Sequence, residues 1–131
     1  MLPALLPLAI ATAAAPAPEQ IEREKRTLIV FAPSQRDARL ARQLALLDSD
    51  RGVLADRDVH VVKVVGDSVA GAYDYAGHLR ARYGVANESF ETVLLGRDGG
   101  VKLRTDDAVA LPRLAATIDA MPMRQREMRV R

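Results

Sequence analysis

The chain contains no cysteine. That absence excludes thiolate nucleophiles, disulfide staples and thiolate metal ligands, each of which needs the thiol sulfur. Tryptophan is absent too, and the aromatics stop at Phe31, Tyr73, Tyr75, Tyr83 and Phe90. An apolar interior must therefore come from Leu, Val, Ile and Ala. Histidine occurs only as His60 and His78, with no third ligand at a zinc-like spacing. Nothing places either one beside a serine, so a Ser–His nucleophile has no basis. No Gly-Lys-Ser/Thr follows Gly96 to Gly100, which removes a phosphate loop. Asp67, Asp74, Asp98, Asp106 and Asp107 do not fit a D-x-D-x-D-G calcium loop. No metal and no cofactor is expected.

Charge of one sign is also scarce. The formal net charge is +2 across 131 residues. The excess lies in the last ten residues, where Arg124, Arg126, Arg129 and Arg131 face Glu127 alone. A nucleic-acid platform needs a basic stripe on the folded face, commonly with aromatics. Here the cations read as a frayed basic tail, 123–131, able at most to make weak, salt-sensitive contact with an anionic surface. Specific nucleic-acid binding is not expected.

Nearly half the residues are apolar, enough for one real core. Leu2 to Ala15 carries no charge and is rich in Leu and Ala, and Ala11-Thr12-Ala13 offers an A-x-A cleavage pattern. This predicts a secretory signal peptide over 1–15, although its first residues lack Lys and Arg. The run is too short to span a bilayer, and Pro3 and Pro7 break it. A linker over 16–25 and a single domain over 26–122 follow. The chain is therefore expected in a bacterial periplasm or outside the cell, with no transmembrane segment.

Within the domain, Thr27 to Phe31 is a β-branched apolar run, which predicts a buried central strand. Ser34 reads as the N-cap of a helix, with Asp37 as an acidic residue in its first turn. Leu40, Leu44 and Leu47 recur at helical spacing, with Arg36, Arg39, Arg42 and Gln43 assigned to the opposite side. Asp48 to Asp50 ends that helix, and Arg51 to Asp56 suggests a further short turn. Val59 to Val65 is a second strand. Tyr75 to Tyr83 reads as a helix stacking Tyr75, Leu79 and Tyr83, closed by Gly84 at a left-handed cap. Glu91 to Leu95 and Val101 to Arg104 form a hairpin about Asp98-Gly99. Pro112 opens a last helix with Leu111, Leu114, Ala115, Ile118 and Met121 inward, and Pro122 stops it. The order β-α-β-α-β-β-α predicts an α/β domain: a mixed four-stranded sheet with helices on both faces.

That order resembles the thioredoxin fold. Val30-Phe31-Ala32-Pro33 resembles the strand end leading into a thioredoxin active-site loop. Tyr83-Gly84-Val85, Thr92 to Leu95 and Asp98-Gly99-Gly100-Val101 resemble the later half of thioredoxins and peroxiredoxins. The opening Arg26 to Ser34 resembles, more narrowly, a thioredoxin-like family of unknown function. That family occurs as small exported bacterial proteins and as domains of vertebrate sushi-repeat-containing and coiled-coil-domain-containing matrix proteins. The resemblance implies fold and compartment, and no reaction. Aligned on Ala32, the redox cysteine positions fall on Gln35 and Ala38, so thiol exchange is impossible. The cis-proline of that fold is replaced by Phe90-Glu91-Thr92, where a trans bond is expected.

The loop Pro33, Ser34, Gln35, Arg36 and Asp37 is the leading candidate site, because loops at strand carboxyl ends are where α/β sheets place ligands. It reads either as an anion-binding helix start or as a simple cap. Tyr73, Phe90 and Glu91 complete the candidate surface. The expected activity is binding of an envelope or extracellular protein. The alternative is a small-anion binder or enzyme using the first helix N-terminus.

Overall fold

The computed structural model describes residues 25–130. The expected signal peptide and nearly all of the expected linker fall outside those residues. The elements are β1 (Arg26–Ala32), α1 (Ala38–Ser49), α2 (Arg51–Asp56), β2 (Val59–Val65), β3 (Ser68–Ala70), α3 (Ala76–Tyr83), β4 (Glu91–Leu95), β5 (Val101–Thr105), α4 (Leu111–Asp119) and α5 (Pro122–Val130).

The sheet has five strands in the order β3-β2-β1-β4-β5. β1 runs parallel to β2, pairing Arg26 with Val59 and Ala32 with Val65. It runs antiparallel to β4, pairing Phe31 with Glu91. The fifth strand corrects the four-stranded expectation. β3 is three residues long and folds back on the end of β2, with Val65 opposite Ser68. The turn between them uses Gly66 at φ +57°, a left-handed conformation that glycine adopts without penalty.

Because β1 is central, both of its faces are buried, and every one of its residues is buried. Alternation splits the core in two. Leu28, Val30 and Ala32 face α1, α2 and α4, against Leu40, Leu47, Leu54, Leu114 and Ile118. Ile29 and Phe31 face α3, against Ala76, Leu79 and Tyr83. Each fully buried aliphatic side chain here contributes roughly 1.5–3 kcal/mol. Helices thus cover both faces, as the pattern predicts.

Three sequence expectations are corrected. Tyr75 is not packed: it precedes α3 and is 82% exposed. Gln43 is not on the solvent side: it is fully buried. Pro122 does not end the structure, and 123–130 is not a frayed tail. Pro122 opens α5, and Arg124 within it is 2% exposed. Ala120 and Met121 form the short joint between the last two helices.

Candidate functional site

The corner beyond the carboxyl end of β1 is built from one loop and its neighbours. After Ala32 the chain turns, with the Asp37 amide donating to the Ser34 carbonyl at 3.2 Å. The Ser34 hydroxyl accepts from the Arg36 amide at 3.3 Å. Ser34 therefore stabilises the turn, and Asp37 is the residue that caps α1. The Asp37 carboxylate accepts from the Arg39 amide at 2.8 Å. The Arg39 guanidinium closes on the same carboxylate at 3.1 and 2.9 Å. That side-chain hydrogen bond, with the amide bond and the Arg39 charge behind it, holds the Asp37 carboxyl below its ordinary value.

This geometry decides what the helix start can do. Its orphan amides and partial positive charge suit an anion, and the Asp37 carboxylate already occupies that role. Arg39, the nearest cation of α1, is committed to the same carboxylate. The arrangement gives no support to a small-anion site there. It leaves Ser34, Gln35 and Arg36 as an exposed tip.

The structure brings some of the expected residues together and not others. Pro33 is half-buried beside Gly66, where a Cβ on that glycine would sit 3.5 Å from the Pro33 carbonyl. Glu91 stands opposite Phe31 at the end of β1 and pairs with Arg104 of β5. Phe90 is corrected as a contact residue: it is buried, with the Arg39 guanidinium 5.4 Å from its ring centre. Tyr73 is exposed but lies elsewhere. The loop carrying it starts at Gly71, which abuts Val61 and His60 well down β2. Tyr73 and Tyr75 therefore belong to the β3 edge and not to the corner. Among the described residues no peptide bond is cis.

Two residues that frame the corner escaped the sequence reading. Arg80, 5% exposed, reaches from α3 to the ends of β1 and β2. It donates to the Gly66 carbonyl at 2.6 Å and the Ala32 carbonyl at 2.9 Å. It thereby fixes where the loop departs. Gln43 donates to the Val109 carbonyl at 3.1 Å and accepts from the Val109 amide at 2.7 Å. It also accepts from the Thr92 hydroxyl at 3.3 Å. Spacing could have found both. Gln43 sits three after Leu40 and four before Leu47, and Arg80 sits four after Ala76 and three before Tyr83, each within a buried stripe.

A family model described as domain of unknown function DUF4174 matches residues 18–127. The chain belongs to the DUF4174 family. No curated protein matches this member of the family. Among solved structures, the DUF4174 chain is similar to reduced 2-Cys peroxiredoxin of Plasmodium vivax, at TM-score 0.61 and 14% identity, over 84% of this chain and 83% of that one. It is similar to StoA from Bacillus subtilis, at TM-score 0.55 and 13% identity, over 72% of this chain and 82% of that one. It is also similar to AhpC of Mycobacterium tuberculosis, at TM-score 0.53 and 14% identity, over 75% and 73%. At such identities the likeness shows the fold alone: the DUF4174 domain is thioredoxin-like. Its corner contains no thiol, and among the described residues no group of three or more His, Asp or Glu could hold a metal ion. No helix among the described residues is long and apolar enough to cross a membrane.

Proposed function

We propose that this DUF4174 protein is an exported, non-redox protein-binding module of the cell envelope, and that the corner beyond β1 is its contact surface. The observation carrying this reading is the corner itself. It keeps the exposed loop of a thioredoxin-like fold with no group equipped for nucleophilic or redox chemistry, and its one helix start is internally capped by Asp37. Ser34, Gln35 and Arg36 form the tip, with Pro33, Asp37 and Glu91 around it. Export rests on the uncharged Leu/Ala-rich segment and its A-x-A pattern.

The test is affinity capture from the cell envelope with the mature protein, beside a Gln35→Ala/Arg36→Glu variant. The captured partner is then purified and its binding measured directly. Binding by wild type weakened at least about thirtyfold in the variant supports the corner, since interface hot spots are worth about 2 kcal/mol or more. Equal binding by both removes the corner as the interface. Mass spectrometry of the protein from its host tests export: a mature N-terminus between Ala13 and Pro18 is expected, and an intact Met1 start in the cytoplasm overturns it.

A further inference from the structure

The opposite end of the sheet holds a second, unrelated feature. Between the amino end of β1, the β4–β5 turn and the α4–α5 joint lies a cavity of about 420 Å³. Pockets that take small molecules span roughly 300–1,000 Å³ and combine apolar walls with a few placed polar groups. The six steps of β1 from Arg26 to Ala32 put it about 20 Å from the corner.

Its walls have two characters. Ala120, Met121, Pro122 and Met123 give one apolar side. Arg26, Arg97 and Lys102 give the other, with Asp98 the one acidic residue in the lining. Arg26 is fully buried, and its Nη atoms are held by the Arg57 carbonyl and the Glu127 carboxylate. Its Nε is a buried donor with no hydrogen-bond partner. Lys102 meets Asp98 at 3.2 Å in a pair whose carboxylate is largely exposed, the kind of contact water readily replaces. Gly96 completes the rim. A Cβ there would come within 2.7 Å of the Lys102 side chain, so the bare glycine lets Lys102 lie across the turn.

We propose that this cavity binds a small organic acid with a short apolar body, its carboxylate facing Arg26 and Lys102 and its chain against Ala120 to Met123. A buried guanidinium with a spare donor and an ammonium whose partner carboxylate is largely exposed together favour a carboxylate over a neutral head group. The apolar joint favours an aliphatic tail over a bare inorganic anion. The site is independent of the corner and of whatever binds there.

The test is an amide chemical-shift titration of the full chain with sodium hexanoate at neutral pH and constant ionic strength, with sodium chloride and hexanol as matched probes. Saturable shifts are expected at Gly96, Gly99, Gly100 and Met121, with hexanoate bound in the millimolar range and neither control saturating. Lys102→Met, which keeps most of the chain length and removes the charge, is expected to weaken hexanoate about fivefold, as befits one charge-assisted contact at a rim. Arg26→Lys, which removes Nε, is expected to weaken it further. Should that variant fail to fold, Lys102→Met alone decides. No saturation by hexanoate, equal shifts from hexanol, or unchanged affinity in Lys102→Met would overturn the proposal.

Discussion

Gln43 shows how one buried amide can organise a fold that has no cross-link. It ties α1 to the chain approaching α4 through both backbone groups of Val109, and to β4 through Thr92. Gln43→Leu preserves approximate volume and leaves the Val109 amide and carbonyl without partners. The expected loss is about 2–4 kcal/mol, from unpaired buried groups at 1–3 kcal/mol each, read as a lower urea midpoint at unchanged slope. Arg80 is a different case, because it spans the ends of β1 and β2 from the α3 side. Arg80→Met is expected to cost about 1–3 kcal/mol and to move the amide signals of Pro33's neighbours and of Gly66. A loss of stability with the corner signals unmoved would show that Arg80 packs the core without placing the loop. Neither role is readable from residue type. Both side chains are ordinarily exposed, and only their place in an apolar stripe betrays burial.

At the scale of elements, legibility followed the strength of the local pattern. β1, β2, the β4–β5 hairpin and the helices α1 and α4 carry continuous apolar runs, an Asp-Gly turn or a long apolar stripe, and the sequence reading placed each within a few residues. β3 was missed because three residues carry no periodicity. It exists because Gly66 and Asp67 turn the chain back onto an open edge of β2. α5 was missed for the converse reason. Met123 and Met128 are partly exposed, and the helix is held by ions, not by an apolar face. Arg124 reaches Asp119, five residues back across the α4–α5 joint, at 3.1 Å and Asp56, 68 positions away, at 2.9 Å, contacts that exist only once the chain has folded. Tyr75 was misplaced because i+4 spacing continues past a helix start that only tertiary structure defines. The connection after β3 carries its own prediction. Gly71 has φ +98°, and a Cβ there would lie 2.6 Å from the Val61 carbonyl. Gly71→Ala is expected to cost about 1–3 kcal/mol and to shift amide signals from Ser68 to Tyr75 while leaving the corner loop unchanged. Wild-type stability in that variant would mean that the β3 edge loop is free to rearrange.

Across the whole molecule, the two ends of the described chain are joined by charge. Arg26 and Glu127, separated by 101 positions, meet at 3.1 Å. Glu127 also takes Arg97 at 3.2 Å, and Arg97 takes Asp58 at 2.9 Å. Asp119 takes both Arg57 and Arg124. This network binds β1, the chain before β2, the β4–β5 turn, α4 and α5 without a disulfide, and it predicts a specific response to acid. The Asp119 carboxyl lies below its ordinary value of 3.8, chiefly through the hydrogen bond from Arg57. Burial alone would raise the Glu127 carboxyl, but the hydrogen bond from Arg26 and the charges of Arg26 and Arg97 outweigh it, so it too lies below its ordinary 4.5. Carboxyls depressed by folding contribute stability that is complete above their unfolded values and lost as pH falls through the folded ones, because the unfolded chain takes up protons first. Stability is therefore expected to be flat near neutral pH as far as these groups are concerned, and to fall as pH drops below about 4.5, the ordinary glutamate value. Glu127→Gln removes one of the two titrations and leaves Arg26 with a weaker, neutral partner. That variant is expected to be about 1–3 kcal/mol less stable at pH 7, less than for a fully buried pair because Glu127 is partly exposed. Its stability should also decline less steeply in acid, as read by urea denaturation at a series of pH values. Parallel wild-type and variant curves would show that α5 is held to the sheet by its apolar contacts and not by this network.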